Sequence, residues 1–419
     1  MRHHQDTHHD DTRQHATPQD GGISQPLIAG LVTAVVGFTS SFVLVLTGLR
    51  AVGADPRQAV SGLLMLCVAM GGLAVVLGLR HRQPLSFAWS TPGAALLVSA
   101  GHQHGYGFAV GAFLVAGLLV TVTGLWSRLG ALVASIPVPL ATALLAGVLL
   151  PLCLAPVHAA VQLPALALPV VAAWALLTRF ARRWATPGAL LVTVLVLLLR
   201  HPAASGPSVS LLPTVVLTAP AFSTGALAGI AVPLYVITMA AQNVPGFAVL
   251  THFGYRPPTR TILLSTGLAT AAGSVVGVYM VNLAAITAAL SAGPDAHPDR
   301  GRRWIASVTA GAVYILFGLT AGLSAALLTA APPLLVEAVA GLALLGTLGS
   351  ALASALTAEA GREAAVITFV VSASGMTAFG IGAPFWGLLA GLAAHALFQR
   401  TMRPPAVDEN PPDRDAAPS

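Results

Sequence analysis

The sequence predicts an all-α polytopic membrane protein with fourteen transmembrane segments, built as two inverted repeats of seven. Three observations predict this class: a composition too apolar for a soluble domain, apolar runs that recur along the chain, and matching residues in its two halves. Of 419 residues, 56% are hydrophobic and 8% are charged, whereas soluble domains carry about 25% charged residues. The runs are continuously apolar rather than alternating, which excludes a transmembrane β-barrel.

Apolar runs close to the length of a spanning helix, about 20 residues, divide the chain into units. In the first half they are 25–49, 58–79, 85–100, 106–126, 131–155, 159–178 and 186–200. In the second half they are 224–250, 261–280, 281–293, 303–324, 328–356, 364–379 and 382–399. The resulting plan is a polar tail at 1–24, a first repeat at 25–200, a connection at 201–223, a second repeat at 224–400 and a polar tail at 401–419. The third and tenth runs are too short to span a bilayer as helices, so both are predicted to be broken segments.

The two halves share residues in the same order. The matches pair Ala29-Gly30 with Ala228-Gly229, Thr39 with Thr238, Gly53 and Pro56 with Gly254 and Pro257, Gly72 with Gly273, Pro139 with Pro333, and Pro187 with Pro384. Because seven is odd, two such units in one chain have opposite orientations, as in many secondary transporters. With both termini in the cytoplasm, fourteen arginines near segment ends face the cytoplasm, and only Arg50, Arg57 and Arg200 face outward. This bias follows the positive-inside rule and predicts a multi-pass protein of the bacterial inner membrane.

Several function classes are excluded by what the sequence lacks. The chain contains no lysine, so it has neither a Walker-type phosphate loop nor a lysine for Schiff-base chemistry. It contains no His-Glu-x-x-His or Gly-x-Ser-x-Gly motif, and we predict no enzyme activity, cofactor or metal site. The net charge of +6 comes from arginines at segment ends, which does not indicate nucleic-acid binding. The histidine-rich N-terminal tail is able to bind metal, but we interpret it as a plain polar tail, and His102 and His104 are too few ligands for a closed site.

The broken segments point to a substrate site. Non-helical backbone at membrane depth is tolerated only where protein or a water-filled cavity surrounds it, and paired interruptions mark the binding site of a transporter. In the third segment Ser90 or Thr91 is predicted to cap a half-helix that begins beside Pro92. Trp89 is either an interfacial anchor or a surface on which an aromatic ring stacks, and Asn282 lies at the interruption of the tenth segment. Two half-helix N-termini would present N–H groups and positive dipole ends, which suits an anion.

A polar stretch in the eighth segment supplies further candidates. Tyr235, Thr238 and Gln242 follow helical spacing on one face, and Asn243 comes next, before two helix breakers at 245–246. Thr238 either lines the site or bonds back to its own helix, and the two amides either bind substrate or join two helices. The predicted substrate site comprises Thr39, Ser41, Trp89, Ser90, Thr91, Tyr235, Thr238, Gln242, Asn243 and Asn282, the first two by repeat symmetry.

Four stretches resemble one transporter family, and the resemblance covers roughly residues 25–400. They read SFAWSTPGAALL (86–97), IPVPLATALLAGVLL (136–150), YVITMAAQNVPGFAVLTHFGYRP (235–257) and GAPFWGLLAG (382–391). In these residues the chain resembles the benzoate:proton symporters (BenE-like), a family similar in architecture to uracil-type and anion transporters with seven-plus-seven inverted repeats. The resemblance implies proton-coupled uptake of benzoate or a related small aromatic carboxylate by alternating access. The alternative is transport of another small anion or a nucleobase on the same fold.

The resemblance also implies a division between segments. Segments 1–4 and 8–11 would form a core domain that holds substrate, and segments 5–7 and 12–14 a gate domain, through which relatives often form homodimers. The third and tenth segments would begin as short extended strands. Uracil-type relatives carry acidic residues in the eighth and tenth helices, whereas this chain has no carboxylate there before Asp295. A site without acids fits an anionic substrate, since two carboxylates repel each other.

Two further roles are predicted outside the substrate site. Glu337 is the only acidic residue deep within an apolar run, and an ionisable residue inside a membrane is a functional candidate by default. It is predicted to carry the coupled proton, and the alternative is a hydrated or structural residue near an outer vestibule. Gly147 and Gly341 lie at matching positions of the two gate segments, where their small faces are predicted to let the gate slide against the core.

Overall fold

The computed structural model describes residues 22–101, 105–126, 128, 136–200, 213–284, 286–329, 331–357, 359 and 361–401. Most of these residues lie in helices, labelled in chain order. The helices of the first half are α1 (Ser24–Ala51), α2 (Pro56–His81), α3 (Thr91–Ala100), α4 (Tyr106–Leu125), α5 (Val138–Gln162), α6 (Pro164–Phe180) and α7 (Ala185–Arg200). The helices of the second half are α8 (Thr224–His252), α9 (Thr259–Gly273), α10 (Ile286–Ala292), α11 (Trp304–Leu319), α12 (Pro333–Leu356), α13 (Arg362–Ala373) and α14 (Ala383–Thr401).

Shorter elements connect these helices. The strands are β1 (Phe87–Trp89), β2 (Val281–Leu283), β3 (Thr377–Ala378) and β4 (Ile381–Gly382). The 3₁₀ turns are Arg182–Trp184, Ser274–Val276 and Arg300–Arg302, and a short helix at Ala321–Thr329 follows α11. The strands form two antiparallel pairs, β1 with β2 and β3 with β4. The implied short extended strands at the start of the third and tenth segments are therefore confirmed.

Seven helices in the described part of the chain are long and apolar enough to cross a membrane. They are α1, α2, α4, α5, α8, α12 and the stretch Arg182–Leu199, which contains all of α7 except Arg200. Many large apolar side chains lie on the outside of the bundle, among them Leu191 (69% exposed) and Val76 (60% exposed). Such surfaces suit lipid rather than water, and the prediction of a helical polytopic membrane protein is confirmed. The count of fourteen segments stays a prediction.

Helix packing relates the two halves. α5 packs along α12, α2 along α11, and α4 along α9, while β1 pairs with β2. The fifth helix of one half therefore packs on the fifth helix of the other, and the strands of the two third segments pair. The second helix of each half packs on the fourth helix of the other half. Exchange of the halves leaves this set of pairings unchanged, as a two-fold relation between repeats requires.

The turns that match between the halves have matching backbone. Gly53 ends the turn after α1 with φ 102°, and Gly254 does the same after α8 with φ 77°. Only glycine adopts this left-handed region without a steric cost. After Gly53, the Asp55 carboxylate accepts a hydrogen bond from Gln58 N (2.8 Å), and the Gln58 side chain accepts one from Asp55 N (2.9 Å). This capping box fixes where α2 begins.

A predicted boundary and a predicted helix break differ from the structure. The fifth segment was placed at 131–155, partly outside the described residues, but α5 continues through Pro156 to Gln162. Prolines are tolerated inside membrane helices because neighbouring helices and local backbone adjustments satisfy the freed carbonyls. The expected helix break at 245–246 is also absent, because α8 contains two π-helical turns, Leu227–Ala231 and Met239–Asn243, and continues through Pro245. A π-helical turn inserts one residue into the helix without ending it.

The connection between the halves is described from residue 213 onward. Val216 N donates to Ser61 Oγ (3.0 Å), and Ala221 N donates to Gly107 O (2.8 Å). This segment therefore runs extended across the ends of α2 and α4 before α8 begins. The predicted tails lie almost entirely outside the described residues, as do His102 and His104.

Candidate functional site

The centre of the molecule is the β1–β2 ribbon. Ala88 pairs with Asn282, and the ladder extends beyond the strands through Ser90 N to Met280 O (3.2 Å) and Ala284 N to Ser86 O (2.9 Å). Because the strands are antiparallel, the helices that follow them, α3 and α10, leave the ribbon in opposite directions. The backbone of both broken segments is thus paired inside the protein, as irregular structure at membrane depth requires.

Ser90 begins α3 and is fully buried. Its hydroxyl accepts a hydrogen bond from Gly93 N (3.1 Å), so the predicted N-cap is confirmed. The same hydroxyl lies 2.8 Å from Thr238 Oγ1 of α8, and Tyr279 OH donates to the Ser90 carbonyl (2.7 Å). Thr91 follows at the first position of the helix and is half-buried. The start of α3 is therefore held against α8 by hydroxyl groups.

The candidates on α8 have different surroundings. Thr238 is fully buried and is bonded to Ser90 rather than to its own helix. Tyr235 OH lies 2.5 Å from Thr123 Oγ1 of α4, which joins α8 to a neighbouring helix. Gln242 lies one turn beyond Thr238 and is 9% exposed, and its amide has no hydrogen-bond partner among the described residues. We refer to Ser90, Thr91, Thr238 and Gln242 as the polar niche.

The two asparagines hold the ribbon. Asn243 is fully buried, its Oδ1 accepts from Leu283 N (2.9 Å), and its Nδ2 lies 3.3 Å from Met239 Sδ. Asn282 Nδ2 donates to Leu283 O (2.9 Å), whereas its Oδ1 is buried and has no partner. Asn243 therefore joins α8 to β2, which is a scaffold contact between a helix and a strand rather than between two helices. Gly246 makes this contact possible, because a side chain there would lie 2.8 Å from the Ala284 carbonyl.

Aromatic side chains lie beside the polar niche. Trp89 Nε1 donates to Ser41 Oγ of α1 (2.9 Å), and the Trp89 ring packs against the rings of Phe38 (5.9 Å between centroids) and Tyr314 (6.5 Å). Phe38 also contacts Phe42 and Phe317. We call Phe38, Phe42, Trp89, Tyr314 and Phe317 the aromatic cluster. Thr39, on the same helix, is half-buried and donates to Val35 O (2.6 Å) within α1.

Sequence reasoning missed four members of this cluster. Phe38 and Phe42 are four residues apart on α1 and flank Thr39 and Ser41, so their helical spacing was a usable signal. Tyr314 and Phe317 lie on α11, which no motif connected to the site. Only the packing of α11 against α1 and α2 brings these rings to Trp89.

No acidic side chain is found in the polar niche or the aromatic cluster among the described residues. The acids that the structure describes are Asp55, Asp295, Asp299, Glu337, Glu359 and Glu363. The described part of the chain also contains no group of His, Cys, Asp and Glu able to hold a metal ion. The niche is thus an uncharged set of hydroxyl, amide and helix N-terminal groups next to aromatic rings.

The residues predicted for coupling and gating lie elsewhere. Glu337 is half-buried in the second turn of α12, on the same helix face as Gly341 four residues later. A side chain at Gly341 would meet the Leu152 carbonyl and Pro156 of α5, so this face is turned toward α5 rather than toward the niche.

Gly147 of α5 packs in the same manner against α13, where a side chain would lie 2.8 Å from the Phe369 carbonyl. Both glycines are therefore at crossings among α5, α12 and α13, all of which were predicted to belong to the gate. These close approaches are between α5 and α13 and between α12 and α5, and the sliding role of the two glycines stays a prediction.

Comparison with known proteins places the chain among transporters. Residues 23–397 match the family model described as "Benzoate membrane transport protein". The chain is similar to the inner membrane protein YdcO of Escherichia coli (strain K12), with 36% identity over 367 residues, covering 87% of this chain and 93% of YdcO. It is also similar to the benzoate membrane transport protein of Acinetobacter baylyi (strain ATCC 33305 / BD413 / ADP1), with 28% identity over 377 residues, covering 90% of this chain and 95% of the relative.

Solved structures share the fold at low sequence identity. The overall structure of SLC26A9 has a TM-score of 0.60 and 13% identity, covering 91% of this chain and 66% of that one. The transmembrane domain of the cyanobacterial bicarbonate transporter BicA has a TM-score of 0.58 and 16% identity, covering 88% of this chain and 97% of that one. These likenesses indicate a common architecture.

Proposed function

The chain belongs to the benzoate membrane transport protein family, and from that premise we propose that it carries benzoate or a related small aromatic carboxylate, with a proton, across the inner membrane. The observation that carries this proposal is the adjacency of an acid-free polar niche to an aromatic cluster at the start of α3. A small aromatic acid has two parts, a carboxylate and a ring, and each of these two surfaces suits one part.

The carboxylate belongs at the polar niche. The N-terminus of α3 presents the Thr91 N–H and the positive end of the helix dipole, which favour an anion, while Pro92 has no N–H and the Gly93 N–H is occupied by Ser90 Oγ. The Ser90 and Thr238 hydroxyls share one hydrogen bond, which leaves one of their two protons free, and the half-buried Thr91 hydroxyl and the Gln242 amide are the other side-chain donors open to a ligand. With no acid beside it, the niche holds an anion without like-charge repulsion.

The aromatic ring belongs beside Trp89. This side chain is held in place at both ends, by its hydrogen bond to Ser41 and by its ring contacts with Phe38 and Tyr314. A fixed ring offers edge-to-face or offset-stacked contacts, each contributing about 0.5–1.5 kcal/mol beyond burial. The polar niche and aromatic cluster together favour an aromatic monocarboxylate over an inorganic anion.

Transport by alternating access follows from the grouping of helices. We assign α1–α4 and α8–α11 to a core that carries the site, and α5–α7 and α12–α14 to a gate. In support, α5 and α12 pack on each other, and α13 packs on α5 and α14. The proposal includes fourteen spanning segments, both termini in the cytoplasm, and a homodimer formed through the gate. It also includes Glu337 as the proton carrier, on the ground that an acid within an apolar helix is costly unless it has a function.

The test is uptake into proteoliposomes. Radiolabelled benzoate should accumulate above its equilibrium level when an inward proton gradient is present, and only equilibrate when the gradient is collapsed. Unlabelled benzoate should compete, while sulfate, bicarbonate and uracil should not. A matched pair of variants tests whether uptake depends on the polar niche. Thr238→Val removes the hydroxyl that is hydrogen-bonded to Ser90 and should reduce uptake. Thr178→Val removes a hydroxyl that only donates to Trp174 O within α6 and should leave uptake unchanged. Uptake of uracil or sulfate without uptake of benzoate would move the function to the alternative class.

A further inference from the structure

Four exposed arginines occupy one end of the core helices. Arg80 and Arg82 lie at the end of α2, Arg256 lies before α9, and Arg300 lies before α11. We call these four residues the arginine face. They come from three separate stretches of the chain, and hydrogen bonds draw those stretches together.

Specific contacts fix the arginine face. Gln83 Nε2 donates to Arg256 O (3.0 Å), which joins the end of α2 to the loop before α9. In the same loop, Tyr255 OH donates to Arg300 O (2.9 Å), and the Arg300 guanidinium lies 5.2 Å from the centroid of the Tyr255 ring. The Arg82 guanidinium lies 5.9 Å from the Trp304 ring. Two of the four guanidinium groups are thus held by aromatic side chains, Arg82 by the Trp304 ring and Arg300 by the Tyr255 ring together with a side-chain hydrogen bond to Tyr255.

The charge of the arginine face is not neutralised by nearby acids. In the described part of this surface the one ion pair is Arg302 with Asp299 (3.7 Å), and it involves none of the four. Arg303 is also unavailable to a ligand, since its guanidinium is buried and donates to the carbonyls of Ala292, His297 and Pro298. Exposed arginines that tertiary contacts bring to one surface suit phosphate, because each guanidinium presents several N–H donors.

An apolar stripe leads directly to this cluster. Val76 and Leu79 are 60% and 51% exposed, and a side chain built at Gly72 would meet nothing within 4 Å. These residues share the outward face of α2 with Arg80. Along that face, an apolar surface that suits an acyl chain is therefore followed by arginines that suit a phosphate. A phospholipid has its acyl chains and its phosphate in the same order. Trp304 and Tyr255 are aromatic types enriched at the level of lipid headgroups.

The backbone at Arg82 adds a second observation. Arg82 ends α2 with φ 48°, in the left-handed region that an arginine adopts only at a steric cost. The matching second helix of the other half ends near Gly277, whose φ is 96°. An arginine where glycine is the favoured residue indicates that its side chain has a use there, and strained residues of this kind gather at functional sites.

We propose that the arginine face binds one anionic phospholipid, with its phosphate on Arg80, Arg82 and Arg256 and an acyl chain along Val76 and Leu79. Phosphatidylglycerol is the headgroup class we expect, because its single negative phosphate has no positive group of its own. This lipid site is separate from the polar niche. Its assignment does not depend on which substrate the protein transports.

Native mass spectrometry of the full-length protein in detergent tests this. Phosphatidylglycerol should form a one-to-one adduct that phosphatidylcholine with the same acyl chains does not. In the triple variant Arg80→Gln, Arg82→Gly, Arg256→Gln, the ratio of lipid-bound to free protein should fall about tenfold or more, because each basic residue attracts anionic lipid. The control triple variant Arg179→Gln, Arg182→Gln, Arg183→Gln changes the charge equally at exposed positions in the last turn of α6 and just after it and should keep the adduct.

Two further measurements separate the alternatives. Arg82→Gly alone should weaken the adduct while the thermal midpoint in detergent stays unchanged or rises, because glycine removes the left-handed cost; an unchanged adduct would overturn the role of Arg82. Equal losses in both triple variants would reduce the effect to general charge and overturn the proposal. Displacement of the lipid by inorganic phosphate or glycerol phosphate at equal concentration would also overturn it, since the site would then recognise a free phosphate.

Discussion

Gln242 and Asn243 are adjacent amides, and the structure predicts opposite consequences for their removal. Gln242 is almost fully buried, and its amide has no partner in the described part of the chain. Asn243 is fully buried and its Oδ1 accepts from Leu283 N of β2. Gln242→Ala therefore removes a group free to meet a ligand, while Asn243→Ala removes part of the scaffold.

The magnitudes follow from the two kinds of hydrogen bond. A bond to a charged ligand contributes about 1.5–3 kcal/mol, so Gln242→Ala should raise the Kd for benzoate about 10- to 150-fold. In Asn243→Ala the buried Leu283 N–H loses its acceptor, and an unsatisfied buried group costs about 1–3 kcal/mol. That cost lowers the free energy of unfolding of Asn243→Ala. Benzoate binding weakens only to the extent that the β1–β2 ribbon moves.

Two assays on the same purified variants separate these effects. The Kd comes from isothermal titration of benzoate, and the stability from the thermal midpoint in detergent. We expect Gln242→Ala to keep the wild-type midpoint and lose affinity, and Asn243→Ala to show a lower midpoint. Wild-type affinity in Gln242→Ala would remove this residue from the site, and equal midpoints for all three proteins would refute the scaffold role of Asn243.

Three more predictions concern other parts of the molecule. Glu337→Gln, which mimics the protonated acid, should still exchange benzoate across the membrane but lose accumulation driven by a pH gradient; full accumulation in proteoliposomes would end its role as the proton carrier. Gly341→Leu should lower the yield of folded protein and its thermal midpoint, because a side chain there meets α5, whereas Gly346→Leu on the same helix, with open space around it, should match wild type. Ser41→Ala should weaken benzoate binding by less than about tenfold, since it removes one neutral hydrogen bond that orients Trp89, and a loss of several hundredfold would show that Ser41 contacts the ligand itself.

The cap of α3 was accessible to prediction because every group involved is local. Ser90, Pro92 and Gly93 lie within four positions, and the preferences for serine at an N-cap and proline in the first turn act on neighbours. The unbroken course of α8 was not accessible in this way. Its proline at 245 predicted a break, and the π-helical turn at Met239–Asn243 that accommodates it is stabilised by packing that sequence spacing does not reveal.

The two predicted gate glycines illustrate a similar limit. Their matched positions in α5 and α12 were visible in the sequence, and close helix packing at glycine was a sound expectation. Which helix each glycine meets was not visible. The contacts of Gly147 with α13 and of Gly341 with α5 depend on how whole helices pack around one another.

The sequence by itself determined that this chain is a helical membrane protein, that its halves repeat, and that its third and tenth segments are interrupted. Those properties follow from the bilayer, which requires about 20 contiguous apolar residues per span and internal pairing of every backbone group. Only the tertiary structure decided which side chains form the site. Ser90 and Thr238 are 148 residues apart and meet at 2.8 Å, and Tyr314 reaches Trp89 from another helix. Contacts of this kind depend on the packing of whole helices, and no local preference specifies which faces will meet.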